Sequence, residues 1–245
     1  MELDHRTIYR EYAKQYDRLV RAEDCEHHLL AGIRDVCPIA RRTVLEVGTG
    51  TGRITELLVG GGARVIGFDR ELAMLEVARQ RLDWRGFGRP GQDVDGVSTA
   101  LACADARALP VANGWADLAI AGWVFGHFTM WLPADWKSAV GAALGEMERA
   151  LAPGGHMIVI ETLGTGLREP RPPSDGLADY YCWLEDEHGF HRRWLRTDYL
   201  FASSDEAQEL CGLFFGSGLT EKIRHEKLIR VPECTGLWWR RIPGL

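Results

Sequence analysis

The sequence predicts an α/β fold, in which a sheet of largely parallel strands is flanked by helices. Short apolar runs, such as Val44 to Val47, have the composition of strands that are covered on both faces. A glycine-rich turn follows that run, and apolar residues at helical spacing begin at Ile54. The same order of strand, turn and helix recurs further along the chain, which is typical of sheets built from strand–helix–strand units.

Composition narrows the class of protein. A chain of 245 residues with 46% hydrophobic content can bury the core of one domain, and we predict a single domain over 1–245. The net charge of −6 gives no general attraction to nucleic acids or anionic membranes. No signal-peptide pattern or long apolar run is found, and the six cysteines include no C-x-x-C pair. These features indicate a reduced cytoplasmic protein that binds neither nucleic acid nor membrane.

The first 38 residues predict helices that cover the domain. A helix is predicted over 6–20, and a second over about 24–36. One face of the first helix carries Tyr9, Tyr12, Tyr16 and Leu19. This face either packs on the body of the domain, or Tyr12, Tyr16 or both close over a ligand. An aromatic face would favour a cationic ligand.

The stretch 43–55 joins the first strand to the first helix after it. Gly48, Gly50 and Gly52 alternate in the turn, with Glu46 two residues before them. Glycines allow a tight turn and a close approach of a ligand to the backbone. The free N–H groups of the following helix face the same place.

This G-x-G-x-G turn resembles the first motif of the class I S-adenosylmethionine-dependent methyltransferases. The fingerprint of dinucleotide-binding enzymes places its third glycine one residue later. The resemblance implies that S-adenosylmethionine is the cofactor, held by Glu46, Gly48, Thr49, Gly50 and Gly52. Upstream, Tyr16 and Asp17 resemble the Tyr-Asp pair of small-molecule members of the family, which implies that Tyr16 also contacts the cofactor.

A second strand is predicted over 63–69. Its last residue, Asp69, is placed to accept hydrogen bonds from ribose hydroxyls, a device that dinucleotide enzymes share. The resemblance adds Arg70 and Met74 to the cofactor site, with Met74 against the adenine, although Met74 equally suits the core. The four glycines within 83–96 predict a mobile surface loop.

Later motifs strengthen the resemblance. A third strand at about 97–102 precedes Asp105 and Ala106, which match the family's adenine-binding motif. The turn at 151–155, Leu-Ala-Pro-Gly-Gly, closely resembles the family's Leu-Lys-Pro-Gly-Gly, and a fifth strand follows. The resemblance implies a Rossmann-like, seven-stranded sheet, mostly parallel, with an antiparallel C-terminal hairpin. We assign that hairpin to the apolar residues between Ile223 and Trp239.

The loop after the fourth strand should border the reacting atoms, because open α/β sheets bind ligands at the carboxyl ends of their strands. It holds Trp123, assigned to the cofactor, and His127, the first candidate for a general base or a substrate-orienting group. A structural role for His127 is equally open. The loop lacks the Asn/Asp-Pro-Pro-aromatic motif of enzymes that methylate nucleic-acid bases.

Residues 162–200 are interpreted as a lid inserted after the fifth strand, above the substrate. Prolines open the segment, and aromatic and polar residues follow, a mixture typical of small-molecule pockets. The substrate candidates are Tyr12, His127, Tyr180, Trp183, His191 and Trp194, and the catalytic candidates are His127, Glu161 and His191. An ordinary cap or a dimer surface is the alternative for the segment. No metal site is expected.

The predicted activity is methyl transfer to an O, N or C nucleophile of a small molecule. Three alternatives stay open: an RNA or protein methyltransferase, a methyltransferase fold that transfers no methyl group, and an NAD-dependent dehydrogenase. The acceptor and the oligomeric state, including a homodimer, are not determined by the sequence.

Overall fold

The computed structural model describes residues 4–84 and 98–244. The predicted glycine-rich loop at 83–96 lies almost entirely outside them. The helices are α1 (His5–Glu11), α2 (Ala13–Ala22), α3 (His28–Val36), α4 (Arg53–Gly60), α5 (Leu72–Trp84), α6 (Phe128–Trp131), α7 (Trp136–Ala150), α8 (Asp175–Asp186), α9 (Ser204–Phe214) and α10 (Gly216–Glu226). The strands are β1 (Thr43–Val47), β2 (Arg64–Asp69), β3 (Ser98–Cys103), β4 (Ala116–Gly122), β5 (Leu151–Thr165), β6 (His191–Arg196), β7 (Tyr199–Leu200), β8 (Arg230–Val231) and β9 (Glu233–Arg241).

The described strands form a seven-stranded sheet and a separate two-stranded pair. The large sheet has the order β3-β2-β1-β4-β5-β9-β6. Its first five strands run parallel; Leu45 of β1, for example, pairs with Ile66 of β2 and Ala119 of β4. Strand β9 is antiparallel to both of its neighbours, β5 and β6. The prediction of a seven-stranded, mostly parallel sheet with an antiparallel C-terminal strand is therefore confirmed.

Helices cover both faces of this sheet, which explains why β1 is apolar and fully buried. Leu45 and Val47 point to one face, where they join a core cluster that includes α7 and α8. Val44 points to the other face, where α3 and α4 supply Leu29 and Leu58. Alternate residues of a strand face opposite sides of a sheet, so a strand between two helical layers needs apolar residues at successive positions.

The predicted N-terminal cover is only partly what the structure shows. The first helix is interrupted at Tyr12 (φ −120°, ψ 26°), which separates α1 from α2. The second helix, α3, does not cover the strand ends. Its residues Leu29 and Ile33 are fully buried against a face of the sheet, so it belongs to a helical layer.

The predicted lid at 162–200 is wrong. Its first residues continue β5 to Thr165, and its last part forms β6, the edge strand that pairs with β9. Between them, α8 buries Tyr180 and Trp183 in the core, where both rings contact Trp136 of α7 edge-on at centroid distances of 5.8 and 5.3 Å. The aromatic residues that suggested a pocket wall are instead the buried face of an amphipathic helix.

The closing hairpin also has different members. Ile223 lies in α10, and β8 pairs with β7 outside the large sheet. Only β9 joins the large sheet from this region, and its antiparallel partner β6 comes from the segment assigned to the lid. Apolar periodicity identified β9 here but took residues of α10 for a strand, and it could not identify the partner of each strand.

Candidate active site

A cavity of about 370 Å³ opens at the carboxyl ends of β1 to β4. This volume suits a small molecule, and this edge is where open α/β sheets bind ligands. From α1 and α2 it is lined by Arg6, Tyr9, Arg10 and Tyr16; from β1 to β3 and the residues after them by Val47, Gly48, Gly50, Phe68, Asp69, Arg70, Glu71, Met74, Ala104, Asp105, Ala106 and Arg107; and from β4 and the residues after it by Gly122, Trp123, Val124, His127, Phe128, Trp131 and Leu132.

The three glycines of the first turn have different surroundings. A Cβ on Gly48 (φ 72°) would overlap Val124 of the β4 loop, so the two loops approach too closely for a side chain. A Cβ on Gly50 (φ 55°) would meet only Met74 Cε, at 3.8 Å, and both residues line the cavity. Gly52 packs instead on Ala78 of α5, does not line the cavity, and serves helix packing.

Asp69 ties the end of β2 to the glycine turn. Its Oδ2 accepts a hydrogen bond from the Gly50 N–H at 2.7 Å, and its Oδ1 accepts one from the Glu71 N–H at 2.9 Å. Burial raises the pKa of this carboxyl above its ordinary value. Because two carboxylate oxygens can accept about four hydrogen bonds, capacity remains for a ligand in the cavity.

Asp105 and Ala106 line the cavity after β3. Arg107 donates to both oxygens of Asp105, at 2.9 and 2.7 Å, and these bonds lower the pKa of Asp105 to about 2. The carboxylate is therefore charged at neutral pH and held in one orientation. The position agrees with a group that would accept a hydrogen bond from a base amino group.

Glu46 and Thr49 do not line the cavity, contrary to the assignment of both as cofactor ligands. Glu46 is 1% exposed and accepts a hydrogen bond from the Thr55 hydroxyl of α4 at 2.5 Å. Burial raises its pKa to about 8. Thr49 is likewise buried beside the turn. In this structure Glu46 joins β1 to α4 beneath the glycine turn, so it positions the turn.

His127 lies in the cavity, at the end nearest β4. Its Nε2 is 2.7 Å from the Tyr9 hydroxyl, and its ring stacks on Trp131 with 4.9 Å between centroids. The His5 ring lies on another side, also with 4.9 Å between centroids. Burial, together with His5, lowers the pKa of His127 to about 3. The imidazole is therefore neutral at neutral pH and a much weaker base than an ordinary histidine.

Glu161, a catalytic candidate from the sequence, does not reach the cavity. It is 3% exposed, and its Oε1 accepts hydrogen bonds from the N–H groups of Phe125 and Gly126 at 3.1 and 2.9 Å. Burial raises its pKa to about 8, so it is largely protonated at neutral pH. Glu161 holds the turn that carries His127 and is a positioning residue.

Trp123 lines the cavity in an uncommon backbone conformation. Its φ is 55°, in the left-handed region, and its N–H donates to the Ile160 carbonyl at 2.7 Å. The guanidinium of Arg53 lies 4.3 Å from the centre of its ring and is ion-paired with Glu23. This buried support fixes the indole at the cavity wall.

Five predicted substrate or catalytic residues lie elsewhere. Tyr12 packs beside the core cluster formed by α1, α2, α9 and α10. Tyr180 and Trp183 are core residues, as described above. His191 and Trp194 are on β6, at the far edge of the sheet from β1 to β4. These assignments are wrong because the segment that was expected above the strand ends is part of the sheet and its covering layer.

The sequence analysis missed several residues that line the cavity beside His127, among them Arg6, Tyr9 and Trp131. Two signals were available. Tyr9 shares a helical face with Tyr16, and Trp131 follows His127 by one helical turn. Arg6 had no such signal, since a charged residue on an N-terminal helix is usually solvated.

Within residues 4–84 and 98–244, no group of three or more His, Cys, Asp or Glu side chains comes together as a metal site would require. In the same part of the chain, no helix is long and apolar enough to cross a membrane.

The sequence that builds the cavity is similar to known proteins. Residues 45–159 match the family described as the methyltransferase domain. This match spans the glycine turn, Asp69, Asp105 and β4, but not the α1 and α2 residues that also line the cavity. Over this segment, which is a little under half of the chain, the protein has the sequence of a methyltransferase domain.

Individual relatives show how far the similarity extends. A demethylmenaquinone methyltransferase of Thermus thermophilus is 34% identical over 58% of this chain and 54% of its own length. This chain spans little more than half the length of the curated relatives it matches first.

Two solved structures share the fold. A methyltransferase structure from Aquifex aeolicus has a TM-score of 0.52 at 13% identity and covers 85% of this chain and 87% of its own. The [4+2]-cyclase SpnF has a TM-score of 0.56 at 17% identity and covers 89% of this chain and 82% of its own. At such identities the likeness concerns the fold alone.

Proposed function

We propose that this protein transfers a methyl group from S-adenosylmethionine to a nucleophile of a small molecule, in the cytoplasm. One observation carries the proposal: Asp69, bonded to the Gly50 amide, and Asp105 after β3 converge on one cavity with the neutral Tyr9–His127 pair. The cavity therefore has a nucleoside-binding end and a separate end for a second reactant.

The residues of the nucleoside-binding end fit the cofactor that the family implies. Asp69 would accept hydrogen bonds from the ribose, and Asp105 with the Ala106 N–H would bind the adenine. Gly50 leaves the backbone open to the ligand, because a Cβ there would have almost no neighbour. Tyr16 and Trp123 line the cavity, and Tyr16 would pack against the cationic part of the cofactor.

S-adenosylmethionine, when bound, supplies a methyl group on a positively charged sulfur. The protein's contribution is to hold the acceptor in line with that group and to exclude water. Helix α1 lies across the cavity and places Tyr9 over it. His127 and Tyr9 would orient the acceptor through hydrogen bonds, while Glu161 fixes the turn that carries His127.

Calorimetric titration with S-adenosylmethionine, S-adenosylhomocysteine and NAD tests the proposal. We expect binding of the first two and none of NAD. Asp69→Ala should weaken S-adenosylmethionine binding about tenfold or more, because it removes the charge-assisted acceptor from the site. Binding of NAD alone, or an unchanged affinity of Asp69→Ala, would contradict the assignment.

A reaction without methyl transfer is the second candidate. It is favoured by the likeness to the fold of SpnF, whose name is that of a cyclase. Product analysis separates the two, because a methyltransferase forms S-adenosylhomocysteine in step with product whereas a cyclase leaves the cofactor intact.

A further inference from the structure

The end of the cavity nearest β4 is where the acceptor must bind if the proposed function holds. We call it the acceptor end; it comprises Arg6, Tyr9, His127, Phe128, Trp131 and Leu132. The sheet order places β2 and β3 on one side of β1 and β4 on the other. Since Asp69 and Asp105 follow β2 and β3, the cofactor's nucleoside would lie on that side, and the β4 side remains for the second reactant.

Resting on the proposed function, we propose that the acceptor attacks through an oxygen that is already anionic at neutral pH, a carboxylate or an acidic phenolate, and that Arg6 binds this anion. The proposal follows from the charge of the acceptor end, from the weak basicity of His127 and from the contacts of Trp131.

Arg6 is a cation without a carboxylate partner in the described part of the chain. Its guanidinium lies 4.9 Å from the centre of the Trp131 ring. Arg10, one turn later on the same helix, differs because it lies 3.9 Å from the carboxylate of Glu71, on the nucleoside side. A guanidinium on an aromatic ring keeps its donors available, and arginine binds carboxylates and other oxyanions through paired hydrogen bonds.

Three titratable side chains at or beside this end are poor proton acceptors at neutral pH. His127 has a pKa of about 3, and its Nε2 already contacts the Tyr9 hydroxyl. Burial raises the pKa of Tyr9 well above its ordinary value and that of Glu161 to about 8, so both carry their protons at neutral pH. His5 packs on His127 from α1. An alcohol must lose its proton to a base, and His127, which lines the cavity, is a weak one, whereas an acceptor that is already anionic needs no base.

An ammonium group would be disfavoured at this end. It would be repelled by Arg6, and Trp131, the aromatic ring best suited to a cation, already carries the Arg6 guanidinium. For an anionic oxygen the charges are complementary. The oxygen forms a bond to the methyl carbon, the carbon–sulfur bond breaks and its electron pair stays on sulfur. The anion and the sulfonium give two neutral products.

Binding can be measured without turnover. The protein saturated with S-adenosylhomocysteine is titrated with benzoate, 4-nitrophenolate and benzylammonium. We expect at least one anion to bind about tenfold or more tightly than the ammonium, and Arg6→Gln to remove that preference. The control is Arg34→Gln, which removes the same charge from the exposed surface of α3. It should leave the preference for the anion over benzylammonium unchanged. Equal or tighter binding of benzylammonium, or no binding of either anion, overturns the proposal.

The site of methylation is the second readout. A pooled set of carboxylic acids, phenols and amines is incubated with methyl-labelled S-adenosylmethionine. Label on oxygen of acids or phenols supports the proposal. For acceptors of different pKa, kcat/KM should then rise with the fraction of the acceptor that is ionised at the assay pH. Label confined to amines or carbon, or no labelled acid or phenol, overturns it. If S-adenosylmethionine itself fails to bind, the proposed function fails instead.

Discussion

At the scale of single residues, burial decides which groups carry charge at the site. Asp105 is ion-paired and remains charged, whereas Glu161 and His127 are buried and neutral at neutral pH. The sequence placed His127 on the loop after β4, where it lines the cavity, and its role stays a prediction. It could not indicate the imidazole's basicity, because that depends on Tyr9, His5 and Trp131, which come from other elements.

His127→Ala tests the orienting role. We expect turnover to fall by about tenfold, because a hydrogen-bonding group that positions the acceptor is lost, while S-adenosylmethionine affinity changes little. Steady-state kinetics and calorimetry measure the two quantities. His225→Ala, on the exposed surface of α10, is the matched control. A collapse of cofactor affinity would place His127 in the cofactor site instead.

Glu161 makes stability depend on pH. Its folded-state pKa is about 8, above the ordinary value of 4.5, so the folded protein binds the proton more tightly. The protonated Glu161 therefore stabilises the folded protein, and this contribution to the free energy of unfolding is complete below pH 4.5. It is lost as the pH rises to about 8, by at most about 1.4 kcal/mol per pH unit. His127 acts oppositely, because its lowered pKa costs stability as the pH falls below 6.5.

Between pH 6.5 and 8 the contribution of His127 is absent, and the buried carboxyls Glu46, Glu161 and Glu233, each with a pKa raised to about 8, all lower stability as the pH rises. Urea unfolding of the cofactor-free protein should show a declining free energy of unfolding across this window. Glu161→Gln should make that decline shallower, because it removes one of the contributing carboxyls, and Glu76→Gln, on an exposed position of α5, should leave it unchanged. An identical slope in the wild type and Glu161→Gln would show that Glu161 is ionised in the folded protein.

At the scale of elements, the strand–turn–helix unit at 43–60 was the most predictable part of the chain. Its signal is local: an apolar strand, alternating glycines and a helical apolar series. The different roles of the three glycines were not predictable, because each role depends on which residue of another element packs against the glycine. Val124 of the β4 loop meets Gly48, and Ala78 of α5 meets Gly52.

Alanine substitutions separate these roles. Gly50→Ala should cost about 1–2 kcal/mol for a left-handed backbone and should weaken S-adenosylmethionine binding, while the fold is retained. Gly48→Ala should cost roughly 1–3 kcal/mol more, since Val124 must move. Gly189→Ala, also left-handed (φ 65°) but with open space around a Cβ, measures the backbone cost alone. Denaturant unfolding measures the stabilities, and calorimetry measures the cofactor affinity. A Gly48→Ala variant no less stable than Gly189→Ala would contradict the predicted clash with Val124.

At the scale of the whole molecule, the sheet class and the position of the cavity were predictable, but the outer strand pairing was not. The parallel half of the sheet follows chain order through helical crossovers, so local patterns nearly suffice. The β9–β6 pairing joins distant segments, as between Arg192 and Trp238, and no local pattern specifies such a partner. The aromatic residues of 162–200 therefore suggested a lid although they build core and edge.

Variants on β6 check this revision. His191→Ala and Trp194→Ala should leave turnover and the KM values for cofactor and acceptor unchanged within about twofold, since β6 is remote from the cavity. Trp131→Ala, at the cavity wall, should raise the acceptor KM clearly. A rise in acceptor KM for Trp194→Ala with an unaltered thermal midpoint would restore a substrate role for this segment.

The position of β9 between β5 and β6 has a consequence for synthesis of the chain. In the described sheet β6 has only β9 as a neighbour, yet β6 leaves the ribosome first. Until β9 emerges, β5 presents a long unpaired edge, and β6 presents backbone donors and acceptors without a sheet to receive them. Exposed strand edges invite pairing between chains. The nascent protein is therefore most vulnerable to aggregation in the interval that separates these two strands.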